Sequence, residues 1–222
     1  MNKRRHGAIA LLACAAMFLG GCAAIRSEIK VEAPAANAAP AVTQPRTVVI
    51  RSVKDYRVFA KAPIASVPSS VASGSDPASE AIKARAVARK RDGNGQAMGD
   101  VLLQEGQTVN GLLRDNLAIA FEQLGYRVTD AANAGPDPLL VDVRIRKFWS
   151  WAQPGFMKMT MKSDVEAGIH IVGTDVATSI SMHAEESRPP LVTDAAWMEI
   201  VDKALLGFRE QAVKKLGAPP FQ

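Results

Sequence analysis

The chain has 222 residues, with 27 Lys or Arg against 22 Asp or Glu and only two cysteines. Lys3, Arg4 and Arg5 supply three of those positive charges at the very start, so the remaining chain is close to neutral and overall charge offers no footing for nucleic-acid binding. Cys14 and Cys22 are both near the start, which leaves no later thiol for a disulfide, a metal or a nucleophile.

Behind the basic start, residues 8–19 are wholly apolar, and Gly20, Gly21 and Cys22 follow. A basic opening, a short apolar run and small residues make the pattern of a cleaved export signal. The run is too short to span a bilayer, which takes roughly 20 residues. Leu19-Gly20-Gly21-Cys22 resembles the lipobox of bacterial lipoproteins. That resemblance implies cleavage after Gly21, diacylglycerol on the Cys22 thiol and acylation of the new amino terminus, and so firm attachment to a membrane. Ala23 and Ala24 come next, with no aspartate, which is similar to the pattern for onward transfer to the outer membrane. The expected location is the periplasmic face of that membrane. Residues 1–21 are therefore read as signal peptide. Residues 22–46 are read as lipid anchor and tether, since 31–45 are rich in Ala and Pro and lack a periodic apolar face.

Residues 47–217 are expected to form a single α+β periplasmic domain, with 218–222 a tail. Thr47-Val48-Val49-Ile50-Arg51-Ser52-Val53 is β-branched and then alternating, a first strand. Residues 60–80 have little pattern and read as loop. Residues 81–91 suit either helix or strand, and Asp92-Gly93-Asn94-Gly95 is a turn signal, with a further break at Gly99-Asp100. A helix begins near Thr108, carries an apolar stripe from Val109 to Leu124 and meets Gly125 at its end. A short strand follows at 126–129.

Next, Leu139, Val141, Val143 and Ile145 face one way, and Leu140, Asp142, Arg144 and Arg146 the other. Residues 157–172 and 176–182 alternate around Gly173-Thr174, in a register that sets Val165 opposite Met182 and Asp164 opposite His183. A last helix starts at Thr193 and stops before Gly217-Ala218-Pro219-Pro220. The expected fold is α+β: a mainly antiparallel sheet with two helices packed on one face.

Candidate chemistry is sparse. Asp164 beside His183 reads as a cross-strand surface pair, because no third ligand or nucleophile accompanies it. Gly93-Asn94-Gly95 lacks the lysine and helix start of a phosphate loop, and Glu185-Glu186 reads as solvated strand. No catalytic residue, metal site or cofactor is assigned. The possible partner-binding residues are Trp149 and Trp151 at a strand end, and Arg89, Lys90 and Arg91 within a basic run that also holds Lys83 and Arg85. Met157, Met159 and Met161 read as a core stripe.

Three stretches carry a family resemblance: Ile50-Arg51-Ser52-Val53-Lys54-Asp55-Tyr56-Arg57, residues 109–128 ending Leu124-Gly125-Tyr126-Arg127-Val128, and the long alternating strands before the last helix. Together they resemble the YajG-type family of uncharacterised bacterial envelope lipoproteins over most of residues 47–216. The resemblance implies no reaction and no cofactor. The functional expectation is a non-enzymatic, lipid-anchored domain that binds an envelope protein or glycan. The alternative is an accessory lipoprotein of a lipid or lipopolysaccharide transport system, which would need an apolar groove between helix and sheet near Trp149 and the methionines.

Overall fold

The computed structural model describes residues 26–32, 46–61, 64–70 and 78–218. The signal peptide, Cys22, residues 33–45 of the tether and the end of the tail lie outside the described residues. The strands are β1 (Ser27–Ile29), β2 (Thr47–Asp55), β3 (Ala86–Arg91), β4 (Ala97–Leu103), β5 (Arg127–Val128), β6 (Leu139–Gly155), β7 (Lys158–Ile171) and β8 (Ala177–Arg188). The helices are α1 (Glu80–Arg85), α2 (Val109–Gln123) and α3 (Asp194–Leu216).

The α+β class holds, but the sheet is mixed and not mainly antiparallel. Four strand pairings are parallel: β1–β4, β2–β5, β2–β6 and β3–β6. Antiparallel pairing joins β3 to β4 and runs through the β6–β7–β8 meander. The cause lies in the connections. The chain from β2 to β6 passes through two helices and returns in the same direction, which a short hairpin cannot do.

Residues 26–32, read from sequence as part of the anchor and tether, belong to the sheet. β1 lies beside β4, and Val31 is buried and exchanges two hydrogen bonds with the Gln107 side chain. Gly99 and Asp100, read as a break, lie within β4. The ambiguous stretch 81–91 is both structures in turn, α1 and then β3.

Each long helix starts where its cap residue places it. The hydroxyls of Thr108 and Thr193 accept from the backbone N–H of Gly111 and Ala196. Both helices pack on one face of the sheet, over a core that includes Leu113, Leu117, Phe148, Met161, Ile180, Trp197 and Phe208. The core is closed. Gly207 of α3 comes so near β8 that an added Cβ would meet Met182 at 2.4 Å.

Register shifts interrupt the ladders at four places: Val87 in β3, Met98 in β4, Arg51 in β2 and Arg146 in β6. The last two are β-bulges that re-aim the strands beneath the helix-free face. Before Arg146 the odd-numbered residues of β6 face the helices; after it Phe148 and Ser150 do, and Trp149 turns to the opposite face. There Trp149 joins Ala86 and Leu102, with Ile82 and Trp151, in a second small apolar cluster.

Arg57 holds the place where β6 changes partner. β2 ends beside Ile145, and β3 pairs with β6 at Ala88 opposite Ser150. The Arg57 guanidinium is fully buried in the gap. It donates to the carbonyls of Ala86 (2.7 Å), Phe148 (3.1 Å) and Lys83 (2.5 Å), and to both oxygens of Asp55. Replacing Arg57 with Met strands those carbonyls and the carboxylate, and the expected cost is about 3–5 kcal/mol. Arg57→Lys rescues little of it, because an ammonium lacks the planar fork. Urea unfolding of the two variants checks both statements.

Candidate functional site

The sheet face away from α2 and α3 is the candidate surface. Alternation and the two bulges together bring Arg51, Asp142, Arg144, Arg146, Lys147, Asp164, Glu166, His170 and His183 onto it. Two parts differ in chemistry.

The first surrounds Trp151, which is half-buried. The Lys147 ammonium stands 5.8 Å from the centre of its ring, and the His183 ring centre is 6.2 Å away. Asp164 ties the group together, accepting from Lys147 Nζ at 2.5 Å and contacting His183 Nδ1 at 2.5 Å. Burial would raise the Asp164 carboxyl. The hydrogen bonds from Lys147 and His183 outweigh it and hold the group below the usual range. The register that set Asp164 opposite His183 is the observed one.

The second part is a depression of about 470 Å³ lined by Arg144, Arg146, Gly168, His170, Thr178 and Ser179. Gly168 lies opposite Arg144 in the ladder, and its missing side chain lowers the floor beneath the Arg146 guanidinium. Arg144 lies 6.0 Å from the ring centre of Tyr56, itself 53% exposed, and Arg146 pairs loosely with Glu166 at 3.4 Å. At its border Arg51 grips Asp142 through two guanidinium nitrogens, and Ser52 adds a third hydrogen bond at 2.7 Å. The Arg51 hydrogen bond outweighs a smaller opposing effect of burial, and with Ser52 it brings the Asp142 carboxyl down to about 2. Two exposed guanidinium groups above a glycine floor can receive a carboxylate or a phosphate. Among the described residues, no three His, Cys, Asp or Glu side chains gather as a metal site.

The residues named from sequence separate in the structure. Trp149 is 2% exposed, and its indole N–H donates to the Ala65 carbonyl at 3.0 Å, so it fastens the 64–70 loop instead of meeting solvent. Arg89 is 7% exposed and donates to Asp100 across the β3–β4 pair at 2.5 and 2.8 Å. Lys90 binds Ser27 and Asp194, tying β1 to the start of α3. Arg91 reaches the Gly95 carbonyl at 2.8 Å. Arg89, Lys90 and Arg91 are thus each engaged by partners within the chain, and of the five Trp151 is the one placed beside Lys147 and His183 on the open face. Met161 is core as expected, whereas Met157 stands 79% exposed beside Phe156 at the β6–β7 turn, with φ of 53°.

The chain matches no family model and no curated protein. Among solved structures it is similar to one titled as the crystal structure of an uncharacterised protein, at 11% identity and a TM-score of 0.39. That match covers 86% of this chain and 99% of the other.

The Arg144–Arg146 depression was missed by sequence reasoning. The signal for it was present: two arginines on the polar side of one strand, and a lone glycine inside the long strand that pairs with it. A carboxylate whose folded value lies below its unfolded one stabilises the fold above the unfolded value, and that contribution fades as pH falls. Asp142→Asn should therefore be less stable than the parent at neutral pH. The gap should close as pH falls from the ordinary value of 3.8 to about 2, followed as the urea midpoint against pH.

Proposed function

We propose that this chain is a lipid-anchored, non-enzymatic domain of the bacterial envelope, held by acyl chains on Cys22 at the periplasmic face of the outer membrane, which binds an envelope protein or glycan on its open sheet face. The resemblance to the YajG-type lipoproteins forms part of this reading. Among the described residues no helix is long and apolar enough to cross a membrane, which is compatible with that reading.

One observation carries the choice of partner. The space between helices and sheet is filled by Trp197, Phe208, Phe148 and Met161, all within 2% exposure, while the opposite face is uncovered and charged around Arg144, Arg146 and Trp151. A carrier of acyl chains needs an apolar cavity, and here the apolar side chains are packed against one another. A partner with carboxylates or phosphates finds exposed guanidinium groups and an aromatic ring on a rigid sheet. A second depression, of about 350 Å³, is lined by Val31, Asn116, Asp202, Leu205, Leu206 and Arg209.

The test is photo-crosslinking in the native envelope from a photoreactive side chain placed at Ser179, on the rim of the depression. Adducts with a protein or a glycan are the expected result; lipid adducts alone would turn the reading over to lipid transport. The Cys22→Ser variant should leave the detergent phase for the aqueous phase, and a variant that stays in detergent would overturn the anchor.

A further inference from the structure

The strand directions bring four segments to one end of the sheet. β6 and β3 run toward that end in parallel, β4 runs back from it, and β1 is parallel to β4, so the chain preceding β1 approaches from the same end. Ser27 is opposite Val101, and Arg26 lies 3.8 Å from Asp100. Asp100 pairs with Arg89, while Ala88 is level with Ser150, so Arg26 stands about level with Trp151. Beyond that level β6 continues for five residues to the Phe156-Met157 turn, roughly 16 Å at the rise of a strand. Cys22 is four residues ahead of Arg26. Whatever path those residues take, they span at most about 14 Å. A bilayer holding acyl chains on Cys22 is therefore no farther from Arg26 than the turn itself extends.

This end also gathers exposed apolar side chains. Of the eight large hydrophobic residues exposed among the described residues, four are here: Phe156 (92%), Met157 (79%), Leu191 (73%) and Met98 (45%). Met98 follows Ala97, which pairs with Arg91 at the tip of β3, and Leu191 comes three residues after Arg188, which pairs with Met159 next to the turn. Met157 adopts a left-handed conformation that glycine or asparagine would take more readily, so the turn's backbone gives no reason for an apolar residue there. Lys158 comes directly after the turn and is exposed. Its stem can follow the apolar turn while its ammonium stays among phosphates.

Resting on the lipoprotein reading of Cys22, we propose that this end of the sheet faces the membrane, with Phe156 and Met157 seated in the headgroup layer of the bilayer that holds the acyl chains. An aromatic and a methionine beside a lysine suit the boundary between water and hydrocarbon. The domain is then held at two points, the lipidated cysteine and the turn, and stands upright. Arg144 lies eleven or so strand positions away along β6, roughly 35 Å from the turn. The open face is thereby held clear of lipid.

The experiment uses the acylated full-length protein in vesicles of phosphatidylethanolamine and phosphatidylglycerol. Because acylation blocks Cys22, Phe156→Cys and Asp175→Cys each supply one thiol for an environment-sensitive fluorophore, at the two opposite ends of the meander. A blue shift and several-fold stronger quenching by headgroup-level nitroxide lipids are expected at 156 relative to 175. Equal quenching at both positions, or none at 156, in protein that is acylated and floats with the vesicles overturns the proposal and leaves the anchor standing. A label at 156 shielded from both lipid and water, with crosslinks to a second copy, overturns it in favour of self-association. A mass without diacylglycerol, in protein that does not float, overturns the anchor and this proposal together.

Discussion

The inner edge of β6 is shared by two strands that do not meet, and the Arg57 guanidinium fills the space between them. β6 is longer than either β2 or β3, so its carbonyls near Phe148 have no strand partner on that side. Buried carbonyls without donors are costly, and no neutral side chain brings several donors in one plane. Arg57 does, and the Asp55 carboxylate two residues earlier balances its charge. The consequences extend beyond the gap. Fixing residue 57 directs the following segment across the helix-free face, where Ala65 receives the Trp149 indole and the smaller apolar cluster forms. Part of that face is covered for this reason, and the part beyond Trp151 is left open.

How far the sequence revealed this arrangement depends on how each element is buried. α2, α3 and the β7–β8 pair each bury one side and wet the other, so spacing alone marks them, and Asp164 falls opposite His183 as the alternation requires. β3 and β4 carry no such mark. Residues 86–89 and 99–103 are buried continuously, covered by helices on one side and by the Trp149 cluster on the other, so no alternation is written into them. β1 has three residues, too few for any period. Parallel pairing is equally silent, since it depends on where a distant strand arrives and not on the strand's own pattern.

The site was legible in part, and the reason is the bulges. Strict alternation along β6 would send Trp149 and Trp151 to the helix side with Ile145. The extra residue at Arg146 inverts that assignment. A bulge leaves little trace in one sequence because it changes only the count between two patterns. Charge misled in the opposite direction. Five cations between Lys83 and Arg91 suggest a surface, yet β3 is covered on both faces as far as Arg89, which is buried against Asp100. Asp100 lay in what read as a break, so the cation looked unpartnered. Arg144 and Arg146, which stay exposed on the open face, drew no notice because they are spread along a strand and not clustered in sequence.

The distribution of polar and apolar surface follows from these same constraints. A mixed sheet whose helices cover one face needs some other cover, or polar residues, on the second. Near the β3 side the Arg57-directed segment supplies cover. Toward β8 the strands supply Asp164 paired with Lys147 and His183, and Glu166 paired with Arg146, and this pairing lets polar and charged side chains stand on the sheet. Neither device reaches the β6–β7 turn, which projects past the last pairing of β3 and past the end of β8. Exposed apolar residues at that turn are therefore not demanded by the fold: polar residues, or a glycine at 157, would satisfy the same backbone with less strain. What the fold does fix is direction, because the parallel pairing of β1 with β4 commits the start of β1 and the turn to one end of the sheet.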